Sequence, residues 1–449
     1  MSKSLILLLA LVIAWTSTSG CASDCTKVRR EFDDKVALES PFVGSMAPEG
    51  PLHLGVAVRV HVLDQVVDRA MGKGLDKALT FTDSIALATG QKIGIETRGD
   101  VADLGLYPDK SCEECLRVDG RLGGEVTIKL PVLGAQTVPL KGTFSLVAPV
   151  IFEASESGDA VVKLDLGKAA TIGKSHVKPE VTELPPTWWK VIESPLGKLM
   201  LQAVTKNLAP VSLFRFRPPD LGVEGLKIVP ARVVSDAKQG VVFAGFRTNV
   251  AASIPSGDAG LEPLAKLGKN DDVAVGVDPR ILGPLATALV RSGKVSRTWT
   301  REGKPNPDGP IHVTIDGFSF DGVDSESPPF NLRFRAWHMP KEGKCWWADV
   351  DASGRVEVRD EKLLAVAVQK ARVVDSSMPK VFATVANWTT SKLVLDSSKI
   401  VTRTLAREAI DFPGGKIDLE RARLSSENGA LWLRGRVDVQ DDPSAAREP

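Results

Sequence analysis

Apolar residues recur at every second position at Val56, Val58, Val60 and Val62, with Ala57, Arg59 and His61 between them. Such alternation predicts a strand with one apolar face. The spacing then changes. Val66, Val67, Ala70 and Met71 return at three and four residues, which predicts an amphipathic helix ending near Gly72 and Gly74. The same succession occurs again far along the chain. Val273, Val275 and Val277 alternate with Ala274, Gly276 and Asp278, and Ile281, Leu282, Leu285, Ala286, Leu289 and Val290 follow at helical spacing up to Gly293.

The two stretches also end alike. Residues 239–247 and 428–436 each read as a turn and a last strand, and each follows another strand, at Ile228–Val234 and Ile417–Leu424. A longer helix is predicted before each closing hairpin. In the first half it runs from Trp188 to Leu208, with Val191, Ile192, Leu196, Leu199, Met200, Ala203 and Val204 as its stripe. In the second it lies within 381–410, marked by Ile400, Val401, Leu405 and Ala409. Short strand-like runs fill the space between, among them Glu125–Leu130, Val161–Leu166, Ile311–Phe320, Asn331–Trp337 and Gly354–Val358.

The first residues have a different character. Lys3 precedes an apolar run from Leu5 to Trp15, eleven residues long. A membrane-spanning helix needs ~20 such residues, so the run fits the apolar core of a signal peptide. Small residues lead to Cys21. Thr18-Ser19-Gly20-Cys21 resembles a lipobox, where bacterial lipoproteins are cut and acylated on the cysteine, although Thr18 stands where Leu is usual. Cleavage near Ala22, releasing a soluble periplasmic protein, is the alternative. Ala22 after the cysteine favours the outer membrane. The chain divides on this reading into a signal peptide (1–20), a lipidated N-terminus and tether (21–45), a first folded module (46–250), a linker (251–270), a second module (271–440) and a disordered tail (441–449).

Charge narrows the partners. Lys and Arg number 57 against 56 Asp and Glu, with no basic block. That balance argues against nucleic acid and against a broadly cationic membrane-binding surface. With Cys21 acylated, Cys25, Cys112, Cys115 and Cys345 form an even set in an oxidising compartment. Three pairings are open. Cys112-Glu-Glu-Cys115 suits a small-loop disulfide better than a redox pair, because two carboxylates between the thiols disfavour the thiolate. No histidine or second cysteine pair sits nearby for zinc.

Catalytic motifs are missing from the sequence. It holds no His-Glu-x-x-His, no Gly-x-Ser-x-Gly and no phosphate-binding loop. His53, His61, His176, His312 and His338 stand singly. Asp316, Asp321 and Asp324 cluster near glycines without calcium-loop spacing, and read as a turn. Trp188-Trp189 and Trp346-Trp347 would touch a membrane or serve the core. No enzyme, cofactor or metal is expected.

Strand and helix, a run of strands, a helix and a closing hairpin, all twice, resemble the tubular lipid-binding (TULIP) superfamily in its bactericidal/permeability-increasing protein form. The likeness covers about residues 50–440 and includes Glu408-Ala409-Ile410-Asp411-Phe412-Pro413 before the last strands. The resemblance implies an α+β fold of two pseudo-symmetric elongated modules, each a strongly curved antiparallel sheet wrapped around a long amphipathic helix. It also implies apolar slots for lipids or other hydrophobic small molecules. The mammalian members carry a disulfide within the first barrel, which these cysteines do not obviously reproduce.

Candidate ligand contacts are therefore Val56, Val58, Val60, Val66, Val67, Met71, Leu196, Leu199 and Met200 in the first half. Val273, Val275, Val277, Ile281, Leu282, Leu285 and Leu289 are their counterparts in the second. The same positions serve equally as ordinary core. The expected function is an envelope lipoprotein, attached to its membrane through the N-terminal lipid, that binds or transfers lipid. The alternative is a structural or assembly lipoprotein with filled barrels and a protein partner.

Overall fold

In a computed structural model the described residues are 25–43, 50–68, 79–86, 92–110, 112–130, 134–154, 159–207, 210–217, 223–251, 261, 267–301, 304–320, 327–359, 363–377, 410–411, 417–427 and 430–439. The first half contains α1 (Cys25–Leu38), β1 (Leu54–Arg59), α2 (residues 60–68), β2 (Phe81–Ala86), β3 (Lys92–Pro108), β4 (Cys115–Leu130), β5 (Gly134–Pro139), β6 (Lys141–Ala154), β7 (Ala160–Leu164), β8 (His176–Glu180), α3 (Pro186–Asn207), β9 (Val211–Phe216), β10 (Ile228–Asp236) and β11 (Val241–Thr248). The second contains β12 (Val273–Val277), α4 (Leu282–Arg291), β13 (Thr298–Trp299), β14 (Ile311–Phe320), β15 (Pro329–His338), β16 (Trp346–Arg359), β17 (Leu363–Ser376), β18 (Ile410–Asp411), β19 (Ile417–Glu427) and β20 (Ala430–Val439). The fold is α+β, with antiparallel sheets and few helices.

The strand predicted from Val56 to Val62 stops at Arg59, and helix begins at residue 60. Val60, Val62, Val66 and Val67 thus belong to α2, all buried. Val60 and Val62 keep apolar burial because their new positions still face the core. The predicted helix over 381–410 and the tail at 441–449 fall outside the described residues, as does Met71.

Three sheets organise the described residues. A six-stranded sheet runs β10-β11-β1-β12-β20-β19. The two opening strands pair at its middle, Val56 opposite Val275, and each is flanked by its own half's closing hairpin. A nine-stranded sheet follows β18-β9-β7-β6-β4-β3-β2, with β5 on β4 and β8 on β6, and curls strongly into half a barrel. Strand β6 makes the curl possible, since Gly142–Pro149 pairs with β4 while Val150–Ala154 pairs with β7. The two-residue β18 comes from late in the chain, yet it pairs Ile410 with Phe216 of the first half. A five-stranded sheet, β13-β14-β15-β16-β17, belongs to the second half alone.

The middle of the six-stranded sheet is buried on both faces. Val56, Val58, Val242, Ala244, Phe246 and Val273 face the main core. Ala57, Val241, Phe243, Ala274 and Trp432 face the other way, under Leu261 and Leu267. These two leucines come from the stretch read as a linker, whose apolar patch acts as a cover. Two aromatic rings pass over glycines of this face, which carry no side chain beneath them. A Cβ on Gly55 would meet the Phe243 ring at 2.6 Å, and one on Gly276 would meet Trp432 at 2.6 Å. The cover is pinned at its end, where the Arg59 guanidinium donates to the carbonyls of Asp271 at 2.6 Å and Gly268 at 2.7 Å.

Residues 25–38, read from sequence as part of a tether, form helix α1 against the second half. Val28 and Phe32 lie four residues apart on one face. Val28 is buried with Trp337 and Cys345, and Phe32 meets Trp337 edge-on at 5.7 Å. Lys35 pairs with Asp316 at 2.6 Å, and Glu39 with Arg297 at 2.6 Å. The receiving face of the five-stranded sheet is otherwise polar, with Arg335 on Asp349 and Arg333 on Asp351.

Candidate functional site

Most first-half candidates are sealed. Val56, Val58, Val66, Val67, Leu196 and Met200 show at most 1% exposure, and Val60 is buried too. Leu199 packs against the same core while keeping partial access. These side chains meet across the space between α2, α3 and the curled sheet. Helix α3 commits Ile192, Leu196, Met200 and Val204, four residues apart each time, to packing, whereas Val191 of the predicted stripe is exposed and Leu199 and Ala203 are only partly buried, because they lie on the flanks of that row. Its approach is close: a Cβ on Gly197 would stand 2.5 Å from the Val177 carbonyl oxygen of β8.

The second half is arranged differently. Val273 and Ile281 are buried, whereas Val275, Val277, Leu282, Leu285 and Leu289 all remain partly exposed. Helix α4 turns a small-residue stripe to the sheet. Gly283, Thr287 and Val290 are buried, and Gly283 would bring a Cβ to 3.3 Å from the Phe318 backbone nitrogen on β14. Residues at 283, 287 and 290 share one face of a helix, and 282, 285 and 289 share another. The leucine stripe is therefore not what seats α4 on β14. Nearby on the inner face of the five-stranded sheet, Phe318, Phe320 and Leu332 are also only partly buried, around Phe330. Phe318 stacks on Phe330 with centroids 5.5 Å apart.

The histidines sit in structural settings. His53 Nδ1 accepts the Thr248 backbone N–H at 3.1 Å and lies 2.9 Å from the Thr248 hydroxyl. Burial pushes its pKa below the ordinary imidazole range. His61 lies 3.2 Å from an Asp272 carboxylate. His312 meets the Phe32 ring edge-on and is likewise lowered, by burial and then by Arg297. His338 stacks on Trp346 at 4.9 Å, and burial pulls its pKa down to about 4. His176 is exposed. Among the described residues, no group of three or more His, Cys, Asp or Glu is placed to hold a metal ion. Nor, among them, is any helix long and apolar enough to cross a membrane. Asp316 of the acidic cluster pairs with Lys35, and Asp321 and Asp324 lie outside the described residues.

The cysteine pairing left open by sequence is a nested one. Cys112 bonds to Cys115, closing the turn before β4, and Cys25 bonds to Cys345 across 320 positions. The second bridge fastens the first turn of α1 to the connection between β15 and β16. Of the tryptophan pairs, Trp188 and Trp189 pack partly on the main core. Trp347 lies under the Arg335 guanidinium, 4.1 Å from its ring centre.

No protein-family model and no curated protein matches the chain. Among solved structures, a lipopolysaccharide binding protein aligns over 88% of this chain and 100% of its own, at 11% identity and a TM-score of 0.36. P47 from Clostridium botulinum A2 aligns over 86% of this chain and 97% of its own, at 11% identity and a TM-score of 0.42. Likeness this slight transfers neither ligand nor activity.

Two features escaped the sequence reading. Helix α1 was legible in the four-residue spacing of Val28, Phe32 and Val36, but the surrounding charges hid it. The two-sided burial of β1 was not signalled, because small Gly55 and Ala57 look like a polar face in an alternating pattern.

Proposed function

We propose that this chain is an exported envelope lipoprotein, held by acyl chains on Cys21, that binds or transfers lipids or other hydrophobic small molecules without covalent chemistry. The reading includes two pseudo-symmetric modules, each a curved sheet around a helix. The six-stranded sheet supports that symmetry, since its order reads closing hairpin, opening strand, opening strand, closing hairpin from either end. The outer membrane is the expected location, from Ala22 after the cysteine.

The observation that carries the ligand is the Leu282–Leu285–Leu289 stripe, apolar and still partly accessible. Two acyl chains carry ~30 methylenes, each costing ~0.8 kcal/mol in water. An apolar surface that takes them up makes transfer across an aqueous gap nearly isoenergetic. On this reading cargo sits in the second half, and the first half serves as scaffold. The sealed first-half core favours the second reading, an assembly lipoprotein that binds a protein partner. The test is to purify the chain without detergent and identify co-purifying lipid by mass spectrometry. One or two lipids per chain, lost on replacing Leu285 and Leu289 by Trp, is the expected result. A well-folded chain free of lipid would turn the choice to a protein partner.

A further inference from the structure

A cleft opens where α1 meets the connection between β15 and β16. Among the described residues Arg29, Arg30 and Lys341 line it, with Asp33 as the one acidic side chain, beside Cys25, Thr26, Pro340 and Gly343. All three cations are exposed. Arg29 is held in place, since its Nη2 donates to the Pro340 carbonyl at 3.0 Å. The Cys25–Cys345 bridge keeps the two walls together. Three cations against one carboxylate form a local anion site on a chain of nearly balanced charge, and guanidinium groups suit phosphate oxygens.

Position decides which phosphate. Cys25 lies on the lip of the cleft, four residues after Cys21. Four residues reach at most ~14 Å. Acyl chains on Cys21 would enter the bilayer at the level of the headgroups, so the cleft cannot be far from them. We propose that this cleft holds the phosphate of an anionic lipid headgroup in the membrane that anchors the chain. It rests on the reading of Cys21 as the anchor. The bridge then turns the β15–β16 end of the second half toward the membrane. The partly accessible leucine stripe belongs to the membrane-facing half, and the sealed core to the other.

The test uses the mature chain purified from membranes, with the mass of its N-terminal peptide reading the anchor separately. The chain is reconstituted in vesicles of phosphatidylcholine alone or with about a third phosphatidylglycerol. Amide exchange is followed at residues 26–33 and 341–344. Roughly tenfold slower exchange with the anionic vesicles is expected, lost when salt is raised to about 0.5 M. The Arg30→Glu/Lys341→Glu variant, which keeps the Arg29–Pro340 bond, should lose most of that protection while melting at the same temperature, because both side chains are exposed. Equal protection in both vesicle types overturns the proposal, as does protection that survives charge reversal. Equal protection by inorganic phosphate in detergent would make this a free-anion site and overturn the membrane assignment. If Cys21 carries no acyl group, flotation of the same chain decides. Binding to anionic vesicles through the three cations would keep the cleft and discard the anchor, and absence of binding would discard both.

Discussion

Helix α3 in the first half and helix α4 in the second each carry an apolar stripe, but they use it in opposite ways. On α3 the stripe is the packing surface, and Ile192, Leu196 and Met200 have no exposure left. On α4 packing falls to Gly283, Thr287 and Val290, and the leucines stay partly accessible. A large side chain that seats a helix is spent on stability. A small one lets the backbone seat the helix and leaves the large ones for another use. The difference teaches that an amphipathic pattern identifies an apolar stripe and not its purpose.

The comparison can be broken most directly in the sealed core. Phe246 is fully buried, 4.5 Å from the Phe216 ring centre. Phe246→Ala should cost about 3–5 kcal/mol in urea unfolding, and Leu285→Ala about 1 kcal/mol or less, because its side chain is already partly in water. Equal losses would mean that both halves are equally packed. Next in size are the bridges. Cys345→Ser opens a link across 320 positions and should fall toward the top of the usual ~2–5 kcal/mol range, while Cys112→Ser, across 3, should fall below it. Thermal melts of the two variants under oxidising conditions rank them.

Acid should act through the buried histidines. The folded pKa of His338 is about 4 against an ordinary 6.5. The unfolded chain therefore binds a proton that the folded one refuses, and stability falls as pH drops from 6.5 toward 4. At most about 3 kcal/mol is lost through this group, and His53 and His312 act in the same direction. Above pH 6.5 these groups should leave stability flat. Melting temperature followed from pH 7.5 to 4 checks the window, and His338→Phe should make the fall shallower, leaving the part due to His53 and His312. The smallest expected change in stability sharpens the comparison most. Leu285→Trp should shift unfolding by less than ~1 kcal/mol and still remove most co-purified lipid. Unchanged lipid content would take the ligand away from this stripe.

Much of the architecture was legible in sequence. Period two and helical spacing located β12, α3, β14 and both closing hairpins within a few residues, because each carries a local pattern of its own. Long-range facts were not. Nothing local tells Gly55 and Gly276 that aromatic rings from neighbouring strands will lie across them. Nothing near Ile410 shows that it will pair with Phe216. The candidate contacts rest on periodicity, which is blind to the choice between core and cavity. It therefore treated Val58 and Leu285 alike, although one is fully enclosed and the other is not.

The nested bridges set a problem of timing. If the chain is exported as proposed, it emerges N-terminus first, and Cys25 would enter the oxidising compartment before Cys112 and Cys115, and long before Cys345. Oxidation in order of appearance would join Cys25 to Cys112 and strand the other two. Reaching the native pairs requires either that Cys25 stay reduced until most of the chain has crossed, or that an isomerase undo the first bond. The two routes are separable under the proposed export: cells lacking disulfide isomerase should accumulate a 25–112 linked species on the second route and none on the first.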